Sequence, residues 1–132
     1  MGFPGGGYEL GDAGLQQTAE RECREEVGFD LEHRGELLGS LRRLSHPKIT
    51  VDAFVYRLIA PVSISINEEV EAYFWISLYD LDNDRFTDTI EHVFQGAPRE
   101  FPAIVLPEIP VPIWGISLGF IHQALRIWSS PS

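Results

Sequence analysis

The amino-acid sequence predicts a single α/β domain over residues 1–132, a sandwich in which one mixed sheet lies between helices. Three observations predict it. The length suits one domain. Hydrophobic residues make up 44% of the chain and charged residues 23%, as in folded proteins. The segments run in the order helix, strands, helix, and no repeat or low-complexity tail interrupts them.

A glycine-rich loop and a helix occupy the first 28 residues. Glycines are too dense between Met1 and Asp12 for a helix or strand interior, so this segment is predicted to be a loop. A helix is predicted from Ala13 to Val27, with Asp12 as N-cap and Gly28 just beyond its end. Its apolar face repeats every four residues, at Ala19, Cys23 and Val27.

Strand-like segments follow the helix. They are Leu37–Leu44, Ile49–Ala60 and the aromatic-rich Ala72–Leu78. The second is apolar on both faces, as in a covered central strand, and Ser45–Pro47 is predicted to be the turn before it. The acidic segment Asp80–Asp88 is predicted to be a short helix or loop.

The last third of the chain divides into a proline-rich segment and a helix. Five prolines within "PREFPAIVLPEIPVP" (residues 98–112) predict an extended loop or an edge strand, because proline has no N–H for a sheet ladder. Gly115–Trp128 is predicted to be a helix. Arg126 is its only charged residue, so the helix is expected to be buried on two sides or to cover an interface.

Charge and cysteine content exclude several classes of protein. The net charge of −10 argues against nucleic-acid binding through a basic surface, and an anionic substrate would need a divalent cation to shield it. The single cysteine, Cys23, allows neither an internal disulfide nor a cysteine-rich zinc site. Neither a signal peptide nor a transmembrane run is visible. We therefore expect a cytoplasmic protein with no membrane or nucleic-acid partner.

Three carboxylates crowd one side of the first helix. Glu22, Glu25 and Glu26 fall within an arc of about 100°. Like charges this close destabilise a helix, and a hard cation would remove that cost. Carboxylate oxygens suit Mg²⁺, Mn²⁺ or Ca²⁺. A plain solvated surface is the alternative interpretation of these residues.

The glycines and an arginine suggest what the cation would act on. Gly5, Gly6 and Gly7 allow the backbone to approach a ligand closely, and their N–H groups can receive phosphate oxygens. Arg21 can orient a carboxylate or bind a phosphate with its fork of donors. Loop, carboxylates and arginine together indicate metal-assisted hydrolysis of a phosphoanhydride.

The segment "GG…RECREEVGF" resembles the signature of the Nudix hydrolases. The matching residues are Arg21, Glu22, Glu25, Glu26 and Gly28, with Cys23 and Phe29 in the apolar places. The resemblance implies a Nudix α/β/α sandwich and hydrolysis, with Mg²⁺ or Mn²⁺, of nucleoside diphosphates linked to another moiety. It also implies that the three glutamates bind metal or act as base, and that the arginine orients them.

The spacing resembles one branch of that family, the coenzyme A diphosphatases. The general signature has a glutamate eight residues before the arginine, where this chain has Ala13, whereas Asp12 fits the longer spacing of the branch. Residues 67–81 and 112–121 also resemble that branch, although Ser77 replaces a usual proline. Coenzyme A or an acyl-coenzyme A is therefore the leading substrate. The alternatives are a general nucleotide or ADP-ribose-type pyrophosphatase and a binding module without turnover.

Two further expectations come from the resemblance. Glu69 is a candidate fourth metal ligand or base, although it could equally be part of a solvated acidic loop. Nudix domains have strands before the signature, and this chain begins at the signature. We expect a second copy to supply the missing strands, which predicts a homodimer.

Overall fold

The computed structural model describes residues 2–46, 49–59 and 61–129. It divides into two compact units, Phe3–Tyr73 and the part from Phe74 onward with the first residues of the chain. The mixed helix and strand composition confirms the predicted fold class. Instead of one mixed sheet, the described strands form three small antiparallel sheets.

The first helix, α1, runs over Leu15–Val27 and confirms the predicted one. Gly28 ends it in the left-handed region (φ 73°), and the N–H of Gly28 donates to the carbonyl of Arg24 at 3.0 Å. The predicted N-cap is wrong, because Gly14 occupies that position and the carboxylate of Asp12 is bound elsewhere. The buried face of α1 packs in a small core that contains Cys23, Val27, Phe29, Leu31, Val62 and Ile64.

The strands of the first unit are shorter than predicted. After the one-turn helix α2 (Leu31–Arg34), β1 (Gly35–Ser40) pairs with β4 (Phe54–Leu58), and β2 (Leu44–His46) pairs with β3 (Ile49–Val51). Each predicted strand is therefore divided in two. Ser45 belongs to β2 and not to a turn, whereas Pro47 and Ala60 lie outside the described residues.

The predicted covered central strand is also wrong. Within the described chain β4 pairs only with β1, and its last two residues, Arg57 and Leu58, are exposed. A register shift between Leu37 and Gly39 interrupts β1 as well. Such a bulge bends a strand and disturbs its ladder.

The start of the second unit differs from the predicted strand. Residues 72–77 form no strand, and Trp75 is 67% exposed. Ser77 instead caps the short helix α3 (Leu78–Leu81), because its Oγ accepts the N–H of Tyr79 at 3.2 Å. A 3₁₀ turn at Asp84–Phe86 agrees with the prediction of a short helix or loop in this segment.

A three-stranded sheet follows, in the order β5, β6, β7. Its strands are β5 (Thr87–Phe94), β6 (Ala97–Ile104) and β7 (Ile113–Trp114). The proline-rich segment was predicted to be a loop or edge, but its first part is the central strand β6. Pro98 and Pro102 are tolerated because β7 pairs only with Ala103 and Ile104, which leaves the second side of β6 unpaired at both prolines.

The last helix, α4, runs over Gly115–Ser129 and confirms the prediction. Its apolar face contributes to the core of this unit, which contains Ile104, Leu106, Ile113, Leu118, Ile121 and Leu125. Ile127 and Trp128, near its end, are exposed. Among the described residues, no helix combines the length and apolar character needed to cross a membrane.

Candidate functional site

The glycine loop of the first unit lies directly against α1. The N–H of Gly5 donates to Oε1 of Glu26 at 3.2 Å. A Cβ added to Gly6 would lie only 2.5–2.9 Å from the carboxyl atoms of Glu22. The two neighbouring glycines therefore meet two different carboxylates of the helix, and a side chain at Gly6 would displace the carboxylate of Glu22.

Arg21 links the loop to the carboxylates. Its Nη2 donates to the carbonyl of Gly7 at 3.1 Å, and its Nη1 contacts Oε1 of Glu22 at 3.1 Å and Oε2 of Glu25 at 3.2 Å. The side chain is only 14% exposed. Hydrogen bonding to Asp12, and further contacts with Glu25 and Glu9, raise the pKa of Arg21, so the guanidinium is always charged. One planar cation thus holds two glutamates and a loop carbonyl in fixed positions.

Asp12 holds the other edge of Arg21. Its Oδ1 accepts from Nε of Arg21 at 3.1 Å and its Oδ2 accepts from Nη2 at 3.3 Å, which makes the pair bidentate. The side chain of Asp12 is 7% exposed. It also accepts the N–H of Glu9 at 3.0 Å and the hydroxyl of Thr18 at 2.8 Å. The sequence predicted Asp12 as an N-cap and gave Thr18 no role. The helical period places Thr18 on the buried side of α1, but it does not reveal that the hydroxyl binds Asp12.

The ion pair makes stability depend on pH in the acid range. Hydrogen bonding to Arg21, helped by the N–H of Glu9, lowers the pKa of Asp12 from its ordinary 3.8 to about 2. A lowered folded-state pKa stabilises the fold above the ordinary value, and this stabilisation is lost as the pH falls through the folded value. We expect Asp12→Asn to be less stable than wild type at pH 6, with the difference shrinking between pH 3.8 and about 2.

Urea unfolding of both proteins from pH 6 down to pH 2 measures this difference directly. Asp80→Asn, in an exposed position with no carboxylate contact of this kind, is the matched control and should show no such trend. A difference between wild type and Asp12→Asn that stays constant across the range would contradict the prediction.

Glu69 reaches the helix from a distant part of the first unit. The N–H of Ser65 donates to the carbonyl of Val27 at 2.9 Å, and the N–H of Asn67 donates to the carbonyl of Glu26 at 3.1 Å. The side chain of Asn67 then accepts the N–H of Glu69 at 3.0 Å, which forms a tight turn. The carboxylate of Glu69 is thereby near enough to Glu26 to act on its ionisation.

The ionisation of Glu26 reports this crowding. Burial raises the pKa of Glu26, and the neighbouring carboxylates of Glu22 and Glu69 raise it further, although the N–H of Gly5 partly offsets the rise. Arg21 contacts only Glu22 of these three carboxylates, and a hard metal ion would stabilise the remaining like charges. The donors are all carboxylate oxygens, the ligands that Mg²⁺ and Mn²⁺ prefer. The residues present therefore fit such an ion.

The structure separates Glu25 from this group. Glu25 is 52% exposed, and both of its oxygens contact Nη1 of Arg21, at 3.4 and 3.2 Å. Glu22 contacts the same nitrogen of Arg21 at 3.1 Å and also acts on the ionisation of Glu26, so it links Arg21 to Glu26. All four sequence candidates are carboxylates of the first unit, but in the described chain no three of them bring their oxygens within 4.8 Å of one another.

Another acidic group lies just beyond α1. Asp30, Glu32 and His33 bring one ligand-type atom each within 4.8 Å of one another, on a mostly exposed surface. Nδ1 of His33 lies 2.7 Å from Oδ2 of Asp30, and this contact raises the pKa of His33. Asp30 is explained locally, because it caps the short helix α2 by accepting the N–H of His33.

Comparison with known proteins assigns the family. The model of the NUDIX domain matches residues 1–96, which is most of the chain and includes the loop, α1 and Glu69. No curated protein matches the sequence. With the signature residues gathered at the junction of loop and helix, and with the match covering well over half of its length, the chain belongs to the Nudix family.

Proposed function

We propose that the protein hydrolyses a phosphoanhydride bond in a nucleoside diphosphate derivative, with Mg²⁺ or Mn²⁺ as cofactor. We further propose that its residues 1–132 act as a single Nudix domain and that it works in the cytoplasm. The free, buried Cys23 is consistent with a reducing compartment. The observation that carries the proposal is the junction where Gly5 and Gly6 lie against Glu26 and Glu22.

In this proposal the carboxylates hold the metal and the loop receives the phosphate. Glu22, Glu26 and Glu69 would hold the ion, with Glu25 as a further ligand. A bound divalent cation supplies Lewis-acid polarisation of phosphoryl oxygens. The backbone of Gly5–Gly7 would accommodate phosphate oxygens at close range, because these residues carry no side chains of their own.

Arg21 and the glutamates would orient the site and take the proton from water. Arg21 orients Glu22 and Glu25 from a fixed position, and it can bind a phosphate oxygen when Glu25 turns toward solvent. We propose Glu22 or Glu25 as the catalytic base that takes a proton from the attacking water, with Arg21 as the residue that sets their orientation.

Coenzyme A or an acyl-coenzyme A is the substrate that we propose first. The longer spacing between carboxylate and arginine supports it, since Asp12, and not Ala13, meets Arg21. A general nucleotide or ADP-ribose-type pyrophosphatase is the competing proposal. A binding module that has lost turnover is the third, and the intact set of Glu22, Glu25 and Glu26 speaks against it.

The test is product formation measured by chromatography and mass spectrometry. The substrates are coenzyme A, acetyl-coenzyme A, ADP-ribose, NADH, a dinucleoside polyphosphate and nucleoside triphosphates, each with Mg²⁺, Mn²⁺ or chelator. Glu26→Gln tests the site, and Glu68→Gln, an exposed neighbour of Glu69, is the matched control. We expect cleavage of coenzyme A to 3′,5′-ADP and 4′-phosphopantetheine, lost with chelator and in Glu26→Gln but kept in Glu68→Gln.

Each other outcome selects an alternative. Metal-dependent cleavage of a different substrate keeps the proposed site and rejects the coenzyme A branch. A folded protein that binds Mn²⁺ and cleaves nothing favours the binding module. Equal activity in Glu26→Gln and wild type would reject the proposed site itself.

We also propose that the protein is a homodimer. Within the described chain β1 and β4 pair only with each other, so each has an unpaired edge, and such edges favour pairing with another strand. Size-exclusion chromatography with light scattering at micromolar concentration should give twice the 14.9 kDa mass of one chain. A monomer under these conditions would reject this part of the proposal.

A further inference from the structure

Thr18 is the most deeply buried polar residue of α1, and its hydroxyl points at the carboxylate behind the site. Its relative exposure is 2%. The Oγ1 of Thr18 lies 2.8 Å from Oδ2 of Asp12 and 3.2 Å from the carbonyl of Gly14. One hydroxyl proton can serve only one of these two acceptors, and the two contacts must therefore be told apart.

The proton belongs to the contact with Asp12. The carbonyl of Gly14 already accepts the N–H of Thr18 at 3.1 Å. Without the hydroxyl proton, two oxygens carrying negative charge would face each other at the distance of the Asp12 contact. A hydroxyl bound to an ionised carboxylate also forms the stronger bond. Thr18 is therefore a donor to Asp12.

This donor comes from the same helix as the arginine that Asp12 binds. Thr18 stands three residues before Arg21, so their side chains leave the helix on neighbouring positions. Asp12 lies in a loop, where a carboxylate alone could turn away. The bond from Thr18 holds Oδ2 together with the N–H of Glu9 and Nη2 of Arg21, while Oδ1 accepts from Nε of Arg21. The helix thus fixes the loop carboxylate that in turn fixes its own arginine.

We propose that Thr18 is a positioning residue of the hydrolytic site: its hydroxyl holds Asp12, and through Asp12 it sets the plane of Arg21 that orients Glu22 and Glu25. The inference rests on the proposed function for its effect on turnover. Its effect on Arg21 can be measured whether or not the protein is an enzyme.

The matched variants are Thr18→Val, which keeps the shape of the side chain and removes the hydroxyl, and Thr18→Ser, which keeps the hydroxyl. We expect kcat to fall about tenfold in Thr18→Val with KM changed less than about twofold, and kcat to stay within about twofold of wild type in Thr18→Ser. In NMR spectra, we expect the Nε–H of Arg21 to exchange with water about tenfold faster in Thr18→Val only. A role confined to packing would leave that proton unchanged.

The two measurements separate the possible failures. If wild type cleaves none of the substrates above, the proposed function fails, and the exchange of the Arg21 proton still tests the role of Thr18. Wild-type exchange in Thr18→Val overturns the inference, as does wild-type kcat in an active enzyme. Thr18→Ser behaving like Thr18→Val overturns it too, because the hydroxyl is then irrelevant. If Thr18→Val does not fold, Thr18→Ala removes the same hydroxyl, and its kcat and its Arg21 proton exchange are judged in the same way.

Discussion

Replacing Gly6 by alanine is expected to lower turnover about 100-fold and to change the free energy of unfolding by less than about 1 kcal/mol. The added methyl group would lie 2.5–2.9 Å from the carboxyl atoms of Glu22, closer than such atoms can approach. Glu22 is a flexible side chain, so the fold can relieve the clash by moving it. The displaced atoms are those of a proposed metal ligand, so the cost falls on catalysis and not on stability.

The measurement pairs kcat with urea unfolding and with the affinity for Mn²⁺, which should fall in parallel with kcat. Gly2→Ala is the matched control, since a Cβ there has no neighbour within 4 Å. Neither Gly2 nor Gly6 has the left-handed backbone that would make alanine strained. Full activity in Gly6→Ala would mean that the position of Glu22 does not matter, and would count against the proposed site.

Replacing Arg21 by lysine is expected to lower kcat about 100-fold, although the charge is preserved. The guanidinium reaches Asp12 through two nitrogens, and Glu22, Glu25 and the Gly7 carbonyl through its ends. A lysine offers one nitrogen, which cannot occupy both edges of that plane. The glutamates would keep a cationic neighbour and lose their fixed orientation.

Arg24→Lys is the control, because Arg24 lies on the same helix in an exposed position. Its kcat should stay within about twofold of wild type. If Arg21→Lys behaved like Arg24→Lys, charge alone would be sufficient. Arg21 would then have no orienting role, and the inference about Thr18 would fail with it.

Short-range sequence patterns predicted the elements whose formation depends on short-range interactions. The four-residue repeat and Gly28 predicted α1, because both act within one or two helical turns. The apolar character of residues 115–128 predicted α4 in the same way. The spacing of the three glutamates of the signature predicted that one helix carries all of them, and α1 does.

The predictions are wrong where the same residues can adopt two different local structures. Aspartate is a residue type typical of N-caps, but the partner that binds Asp12 is Arg21, nine residues away. The aromatic run at residues 72–78 has the composition of a strand, but Ser77 favours a helix start by capping it. The β5–β6 hairpin was missed because its turn residues, Gln95 and Gly96, both have positive φ, and glutamine is an unusual residue for that position.

Glu69 marks the limit of sequence reasoning for the site. Its place near Glu26 depends on the backbone bonds of Ser65 and Asn67 to the end of α1, and no short-range pattern encodes them. The acidic run around Glu69 is equally typical of a solvated loop. The tertiary fold brings Glu69 near Glu26 but leaves its side chain exposed, and its role as a metal ligand stays a prediction.

Two long-range hydrogen bonds close the first unit, and the segments between their ends can vary in length at a low free-energy cost. The bond between Gly5 and Glu26 spans 21 residues, and the bond between Val27 and Ser65 spans nearly twice as many. The entropy of closing a loop grows only with the logarithm of its length, so a doubling costs about 0.6 kcal/mol. Insertions or deletions in the hairpin of β2 and β3 would therefore alter the energetics of the carboxylate group very little. Changes in the length of that hairpin are therefore compatible with unchanged positions of the glutamates.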